Sequence, residues 1–491
     1  MKASFNVLEQ GWIPVVTAEG EEELLGIRET LARAHELQAI STASPLEEYG
    51  LYRFLGLFLM DALRPESETD IEDLCEADSF DMEAIEDYIA LCRSEGVSFD
   101  LFDEERPFLQ CKHDPAVDGA EKPVNVLDVT RASGNNHTHF DHKTGPNVAI
   151  PPEKAARLLP AYYAFVTMEG RGYGYSINQA PPYYGMIKGE NLYQTLINLL
   201  IPIESIGLVL DNPPVLWRRS EPVCQTDIGK TSWMEAMMFP ARRITLIPER
   251  DGSIRTVYHS PGEKYLNPDA WTDPYVTYQF RDNKRFSIRP KENVAIWRNI
   301  IDIVDLPGRH ASRLLTSYCS IHAGNDRVNL LLFGVRTDNA KYLNIYRHDL
   351  SFPQNCIYNE QAVDALRICI KQSERIEGKL EEKLGYNFEM RNKKKKLSIP
   401  GLSGERAETA IDYFYVECEK RFWKACSAVQ SSENLQNEIR GFFDTLLPTA
   451  MEAFDRAFLG VNLRIKSMML TEKRREELYR EIKKITTEEF I

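Results

Sequence analysis

The stretch from residue 359 to residue 385, NEQAVDALRICIKQSERIEGKLEEKLG, is a long amphipathic segment in the C-terminal part of the chain. Its apolar side chains recur every three or four residues, from Val363 to Leu384, which is the spacing of one face of an α-helix. Gly385 follows the last of them and is a typical C-cap residue. The segment therefore predicts one long helix that packs through a single face.

Three further segments downstream repeat this pattern, at residues 406–429, 435–459 and 470–485. Pro448 lies within the second of them and predicts a kink, because proline cannot donate the backbone hydrogen bond of a helix interior. Four amphipathic helices with short connections are typical of a helix bundle. We therefore predict a four-helix bundle over residues 358–491.

Residues 1–357 mix both kinds of periodicity, which predicts an α+β domain that precedes the bundle. The predicted strands are residues 12–16, 243–248, 275–280 and 328–333. The predicted helices are residues 46–63, 82–92, 152–168, 191–200 and 293–304. Residues 107–152 are rich in Gly, Asn, Asp, His and Pro without periodicity, which predicts an extended and functional loop.

The helix at residues 46–63 has a well-marked start. Ser44 and Glu47 have the spacing of a capping box, in which each side chain bonds the backbone N–H of the other residue. Pro45 suits the first position of a helix. The sequence therefore predicts that Ser44 is the N-cap.

Charge is distributed unevenly along the 491 residues. The net charge is −15, but residues 1–100 alone contribute −17 and the remainder sums to +2. An acidic chain is not expected to bind nucleic acid by bulk attraction, because such binding depends on neutralising phosphates. The densest basic run is Arg391 with Lys393–Lys396, which by itself is typical of a solvated loop.

The composition predicts a soluble, cytosolic protein. Apolar residues make up 43% of the chain, which is enough for a full core, and no uninterrupted apolar run reaches the length of a membrane span. The nine cysteines form no C-x-x-C pair, so neither a disulfide framework nor a zinc ribbon is indicated. The first residues show no apolar signal segment.

The sharpest local pattern is HTHFDH, from His137 through His139 and Asp141 to His142. Three imidazoles and a carboxylate within six residues are good zinc ligands, as in hydrolases of the metallo-β-lactamase fold. In that fold the motif follows a buried strand, whereas a polar stretch precedes it here. A binuclear zinc site, a histidine-bearing binding loop and an incidental polar loop therefore all remain open.

A second pattern is the glycine-rich stretch EGRGYG at residues 169–174. It follows a predicted helix, whereas a dinucleotide-binding loop lies between a strand and a helix. The stretch is either a flexible turn or a loop whose backbone approaches a ligand closely, since glycine has no Cβ.

Several short motifs occur in a fixed order along nearly the whole chain. They are FNVLEQGWIPV at 5–15, RPFLQ at 106–110, SGNN at 133–136, FDH at 140–142, KGENLYQT at 188–195 and RTDNAKYLNIYRHD at 336–349. In sequence and order they resemble the CasA family, the large subunits of Cascade, the type I-E CRISPR surveillance complex. The resemblance implies a DNA-recognition subunit without catalytic activity, metal or cofactor.

The resemblance also implies which residues contact DNA. It implies a loop beside the protospacer-adjacent motif, formed by Asn135, Asn136, Phe140, Asp141 and His142. It implies a glycine loop at the minor groove (Gly170, Arg171 and Gly172), a basic contact (Lys264) and a wedge that opens the first base pairs (Asp338, Asn339 and Ala340). The basic run Lys393, Lys394, Lys395 and Lys396 then becomes a candidate phosphate contact.

The implied partners are the backbone, small and guide-end subunits of Cascade, CRISPR RNA, target double-stranded DNA and a helicase-nuclease effector, with no membrane. In this interpretation the chain recognises the adjacent motif, starts strand separation and holds the R-loop. Two alternatives belong to other classes. One is a zinc-dependent hydrolase or nuclease built on the HTHFDH motif, and the other is a protein-binding scaffold that never contacts DNA.

Overall fold

The computed structural model contains a mixed domain and a helical C-terminal region, which confirms the predicted α+β class. It describes residues 3–131, 148–167, 177–178, 180–206, 215–220, 222–267, 271–282, 284–292, 294–305, 311–324, 326–338, 341–385, 399–428 and 432–488. No helix within these ranges is long and apolar enough to cross a membrane.

Strands and helices are interspersed up to β13, whereas the described elements from Gln354 onward are all helical. The strands are β1 (Ile13–Thr17), β2 (Glu22–Leu25), β3 (Leu37–Ile40), β4 (Lys122–Pro123), β5 (Tyr184–Ile187), β6 (Asp227–Ile228), β7 (Arg242–Pro248), β8 (Ile254–Pro261), β9 (Lys264–Tyr265), β10 (Tyr278–Arg281), β11 (Lys284–Ser287), β12 (Arg327–Asp338) and β13 (Lys341–Pro353). The helices are α1 (Ile27–Ala32), α2 (Pro45–Leu63), α3 (Glu68–Glu76), α4 (Met82–Ser94), α5 (Pro152–Phe165), α6 (Leu192–Ile197), α7 (Ile203–Ile206), α8 (Trp233–Met237), α9 (Trp297–Val304), α10 (Arg313–Ile321), α11 (Gln354–Tyr358), α12 (Glu360–Leu384), α13 (Gly404–Ser427), α14 (Ser432–Phe458) and α15 (Ile465–Glu488).

The chain divides into two compact units. The first comprises Met1–Val294 and His310–Ser351, and the second comprises Ala295–Arg309 and Phe352–Ile491. Helix α9 therefore belongs to the helical unit although it precedes the last strands in sequence. The sequence predicts that the α+β domain ends at residue 357 and that the bundle begins at residue 358. This boundary stays a prediction.

Helix α2 is the centre of the first unit, with almost every residue from Leu46 to Asp61 buried. Its Phe54 ring packs against the rings of Trp12, Phe108 and Trp217, with centroids 5.5–5.9 Å apart. Such aromatic groups bury large apolar areas and contribute strongly to core stability. The helix is therefore enclosed on all sides, which explains its nearly continuous apolar sequence.

The predicted start of α2 is correct, but the predicted capping box is wrong. Pro45 is the first helical residue and Ser44 the N-cap, yet the Ser44 side chain makes no capping hydrogen bond. Glu47 instead forms ion pairs with Lys154 and with Arg157, the latter with 3.2 Å between nitrogen and oxygen. Because Glu47 is buried, its charge requires cationic partners, and these are supplied by α5.

Helices α2 and α5 cross at close range. A Cβ at Gly50 of α2 would lie 2.5 Å from the backbone nitrogen of Ala161 in α5. Only glycine permits this approach without displacing one of the helices. The glycine therefore fixes α5 against the core, and both ends of α5 lead into segments that the sequence associates with DNA.

The strands form small separate sheets. Three of these have three strands, with the orders β2-β1-β3, β13-β12-β5 and β4-β8-β7. Strands β7 and β8 form a long antiparallel hairpin in which Arg242 is opposite Pro261. The sequence predicted β7 but not β8, and it predicted only the first half of β12. Strands β10 and β11 form a two-stranded hairpin.

The second unit confirms the four predicted amphipathic helices, which are α12, α13, α14 and α15. The Asn359 side chain caps α12 at its start, and Gly385 ends it with φ +70°. Pro448 lies inside α14, which continues to Phe458. Helix α9 packs beside this group through the Trp297 ring, 5.2 Å from the ring of Phe422.

Charged side chains join α12 to α15 and α9 within the second unit. Lys383 of α12 forms a salt bridge of 2.7 Å with Glu481 of α15, and Glu374 pairs with Arg298 of α9 at 2.8 Å. Glu381 is different, because its Oε1 is buried without a hydrogen-bond partner. Burial and the neighbouring charge of Glu377 raise the pKa of Glu381 to about 7.

Candidate nucleic-acid interface

Most of the sequence-predicted DNA contacts lie outside the described residues. These are Asn135, Asn136, Phe140, Asp141 and His142, then Gly170, Arg171 and Gly172, then Asn339 and Ala340, and finally Lys393, Lys394, Lys395 and Lys396. The structure describes Lys264, and it describes Asp338 as the last residue of β12. The structure also describes the residues next to several of these undescribed residues. The contacts of those neighbouring residues define the candidate interface.

Helix α5 separates two of the segments. Residues 132–147, here called the histidine segment, precede it, and residues 168–176, here called the glycine segment, follow it. Beyond the histidine segment, Ile150 forms a pair of backbone hydrogen bonds with Ile254 of β8, at 2.8 and 2.9 Å. Because α5 has 14 residues, its two ends are about 21 Å apart.

The start of the glycine segment is held by Thr167. The backbone N–H of Thr167 donates a hydrogen bond of 3.1 Å to the hydroxyl of Tyr342, which itself donates one of 2.9 Å to the carbonyl of Phe165. The guanidinium of Arg242, which is fully buried, donates one of 2.7 Å to the Thr167 carbonyl. Both backbone groups of Thr167 are therefore fixed by side chains from β13 and β7.

The end of the glycine segment is held by Asn178. Its amide nitrogen donates to Asp273 at 2.9 Å and to the hydroxyl of Tyr184 at 3.2 Å. Its amide oxygen accepts a bond of 3.0 Å from the indole nitrogen of Trp271. A side chain amide with several partners is a firm anchor, because removing it would leave buried polar groups unsatisfied.

Asp273 in turn belongs to a buried ion pair at the centre of the unit. Its carboxylate lies 2.8 Å from the guanidinium of Arg53 in α2, and both side chains are almost inaccessible to solvent. The Arg53 guanidinium also lies over the rings of Tyr184 and Tyr275, at 5.3 and 5.8 Å from their centroids. Breaking such a pair by removing one partner is strongly destabilising, so the end of the glycine segment is attached to a rigid point.

The predicted wedge residues Asn339 and Ala340 lie in sequence between two neighbouring strands, β12 and β13. Tyr342, which holds the start of the glycine segment, is the second residue of β13. One hydroxyl group therefore joins the strand that follows the wedge to the residue that precedes the glycine segment. The described residues next to the two predicted DNA-contacting elements, Thr167 and Tyr342, are therefore in direct contact.

Lys264 lies in the short strand β9, which pairs in parallel with β6. Its ammonium group is exposed and lies 4.0 Å from the carboxylate of Asp227, an arrangement that holds it only weakly. It follows β8 by three residues, at the end of the hairpin where Pro261 is opposite Arg242. Lys264 therefore follows closely after the β7–β8 hairpin, whose Arg242 binds the Thr167 carbonyl.

His259 in β8 is buried between α5 and β4. Its Nε2 lies 2.6 Å from the hydroxyl of Tyr162, and its Nδ1 lies 3.1 Å from the ammonium group of Lys122. Burial, followed by the charges of Lys122 and Arg242, holds the pKa of His259 well below its ordinary value. This histidine is therefore neutral at physiological pH and fixes β8 against α5.

Within the described residues, no group of three or more His, Cys, Asp or Glu side chains could hold a metal ion. The HTHFDH motif lies in the histidine segment and is outside this part of the chain. No sequence pattern identifies Thr167, Asn178, Arg242 or Tyr342 as functional residues. Tyr342 lies within one of the motifs on which the resemblance rests, but no local pattern shows that its hydroxyl reaches another segment.

Comparison with solved structures first defines the class of fold. The chain superposes on Thermus thermophilus CasA (Cse1) with a TM-score of 0.76 and 24% identity, covering 98% of this chain and 100% of that one. It matches Thermobifida fusca Cse1 with a TM-score of 0.77 and 16% identity, covering 99% and 98%. A chain of a CRISPR RNA-guided surveillance complex matches with a TM-score of 0.77 and 19% identity, covering 97% and 100%.

Sequence comparison then defines the family. Residues 6–456 match the model of the CRISPR-associated protein Cse1 family. The chain is also 30% identical over 394 residues to the CRISPR-associated protein CasA/Cse1 of Thermus thermophilus, covering 76% of this chain and 75% of that protein. The chain therefore belongs to the Cse1 (CasA) family, which confirms the resemblance found in its motifs.

Proposed function

We propose that this protein is the large subunit of a type I-E, RNA-guided surveillance complex, and that it recognises the protospacer-adjacent motif in double-stranded DNA. It then starts strand separation, stabilises the R-loop and helps to recruit a helicase-nuclease. It has no catalytic activity of its own. The observation that best supports this role is the Tyr342 hydroxyl, which joins the strand after the wedge residues to the start of the glycine segment.

A shared anchor point would allow the protein to couple recognition of the adjacent motif to opening of the DNA duplex. The glycine segment would approach the minor groove, where the absence of Cβ atoms permits close contact. The wedge residues would enter the adjacent base step, at an unstacking cost of about a few kcal/mol. If both elements are attached to one rigid point, binding of the motif also positions the wedge. Contacts made on the motif then offset the cost of opening.

The chemistry of the minor groove determines how recognition of the DNA sequence is divided between the protein and the RNA. The minor groove distinguishes A·T from G·C pairs but little more, so a loop that reads it tolerates several related motifs. The remaining sequence information would come from pairing between CRISPR RNA and the target strand. An acidic chain can take part in this because the other subunits of the complex, which hold the RNA, supply most of the backbone contacts.

The proposed partners are the backbone, small and guide-end subunits, CRISPR RNA and the target duplex. They are supported by family membership and by the likeness to a chain of a CRISPR RNA-guided surveillance complex. Lys264, which is exposed and weakly paired, is available for a contact with the motif. The histidine segment, which precedes α5, would contribute a second contact from the other end of that helix.

Reconstitution of the complex with and without this chain tests the proposal. Binding would be measured on two duplexes that share the same target and differ only in the adjacent motif. We expect the complete complex to prefer the motif-bearing duplex by at least about tenfold, and the complex without this chain to show no preference. An equal preference in both preparations would contradict the proposal.

A further inference from the structure

The hairpin of β10 and β11 exposes two aromatic rings on opposite faces. In its register, Phe280 is opposite Arg285 and Gln279 is opposite Phe286, so alternation places Phe280 and Phe286 on different faces. The Phe280 side chain is 60% exposed and that of Phe286 is 49% exposed. Two large apolar rings at the surface of so small an element contribute little to folding, which indicates a binding role.

The charge of this part of the chain is opposite to that of the whole. Residues 278–291 carry five Lys or Arg side chains and one Asp, a net charge of +4, whereas the chain carries −15. Lys284, Arg289 and Lys291 are exposed to solvent. Basic side chains interleaved with exposed aromatic rings are typical of surfaces that bind single-stranded nucleic acid.

The base of the hairpin is joined to the anchor of the glycine segment. The Tyr278 hydroxyl accepts a hydrogen bond of 2.9 Å from the backbone N–H of Asp273. The Arg285 guanidinium bonds the carbonyl of Trp271 and lies 4.5 Å from the centroid of the Tyr278 ring. Trp271 and Asp273 are the residues that bind Asn178. The hairpin is therefore continuous with the candidate interface.

We infer that this hairpin binds single-stranded DNA at the site of strand separation, with Phe280 and Phe286 stacking on unpaired bases and Lys284 contacting phosphate. The inference rests on the proposed function, because the strand it binds is the one displaced beside the wedge. A duplex is a poorer partner, since its stacked bases offer no free faces and the two rings point in opposite directions. A flexible strand can pass the hairpin and meet both rings.

The test uses the purified full chain and a fluorescent oligothymidylate of about 16 nucleotides, which is within the range of known single-strand sites. The double variant F280L/F286L keeps apolar side chains but removes the aromatic faces. We expect its affinity to fall about tenfold for each ring that stacks, and F280Y/F286Y to bind like the wild type. Since both side chains are exposed, thermal unfolding should be unchanged in both variants.

Two results would overturn the inference. The first is absence of wild-type binding, and the second is equal affinity of F280L/F286L and the wild type. In the second case, loss of binding in F280A/F286A would indicate an apolar contact instead of stacking. Preference for the adjacent motif is measured separately on duplexes, so failure of the proposed function would appear there and not in this assay.

Discussion

The hydroxyl of Tyr342 accepts a hydrogen bond from the backbone N–H of Thr167, with 3.1 Å between oxygen and nitrogen. The same hydroxyl donates to the carbonyl of Phe165 at the end of α5. A single side chain from β13 therefore contacts the end of the helix and fixes Thr167, the last described residue before the glycine segment. Tyr342 therefore links the strand that follows Asn339 and Ala340 to the residue that precedes the glycine segment.

The first prediction concerns this hydroxyl. Tyr342→Phe keeps the ring but removes both hydrogen bonds, which should cost about 1–2 kcal/mol of stability. We expect motif-dependent R-loop formation to slow by about tenfold, because the glycine segment and the wedge are no longer aligned. Stopped-flow measurement of strand opening by the reconstituted complex provides the check.

Tyr346→Phe is the matched control on the same strand. Among the described residues, the Tyr346 hydroxyl accepts a long bond of 3.4 Å from the exposed Asn344. It should therefore leave both stability and strand opening unchanged. Equal behaviour of the two variants would show that the Tyr342 hydroxyl does not align the two elements.

A second prediction concerns the proposed wedge residue. Asn339→Ala should leave assembly with the other subunits intact but slow R-loop formation, because some side chain must offset the cost of unstacking. Duplexes whose first base pairs are already mismatched should restore the rate. Similar slowing on mismatched and intact duplexes would exclude a wedge role for Asn339.

A third prediction concerns the basic run in the second unit. Arg391 with Lys393–Lys396 places five positive charges in six residues of an acidic chain. Each phosphate contact to single-stranded DNA contributes about −0.7 to the slope of log K against log salt. Replacing the four lysines with serine should therefore flatten that slope by about two to three units, without changing the preferred motif. An unchanged slope would indicate a solvated loop.

A fourth prediction follows from the raised pKa of Glu381, about 7. Since the unfolded chain releases this proton near the ordinary value of 4.5, the folded state binds more protons between pH 4.5 and pH 7. The contribution of Glu381 to stability is therefore fully present below pH 4.5 and is lost as pH rises through 7. Glu381→Gln should stabilise the protein at pH 8 by about 1–2 kcal/mol, after allowance for partial exposure, and have little effect at pH 5.

Glu382→Gln on the same helix is the control for this effect. Hydrogen bonds from Lys383 and Lys379 lower the pKa of Glu382, so its charge is favourable in the folded state. Its replacement should give no gain in stability at pH 8. Urea unfolding at both pH values would measure the difference, and a Glu381→Gln gain that is independent of pH would contradict the assignment.

Much of the fold could be predicted because it is encoded by local periodicity. The four C-terminal helices and the Gly385 C-cap depend on spacing that is readable within each segment. The capping box failed at Ser44 because Glu47 is required elsewhere, by cations on a helix about a hundred residues away. A real capping box occurs at Ser67 and Asp70, where each side chain bonds the backbone N–H of the other residue and the Asp70 carboxylate is exposed to solvent.

Part of the candidate interface could also be predicted from local sequence patterns. Glycine-rich and basic stretches are visible in the sequence, and the family motifs give the order in which they occur along the chain. The residues that hold these stretches, such as Thr167, Asn178 and Tyr342, act through tertiary hydrogen bonds that leave no periodic signal. For the β10–β11 hairpin, the sequence predicts one strand, at residues 275–280, which overlaps β10. Its partner strand, with Phe286, is short and strongly charged, so its apolar content gave no strand signal.

The most direct test of motif recognition by this chain is the ratio of affinities for motif-bearing and motif-free duplexes, measured with Gly170→Val and Gly172→Val in the reconstituted complex. Gly229→Val is the matched control, because a Cβ at Gly229 meets no atom within 4 Å. We expect the ratio to fall at least about tenfold in the two glycine-segment variants and to be unchanged in the control. A uniform loss of affinity on both duplexes, or an unchanged ratio, would contradict motif recognition by this chain.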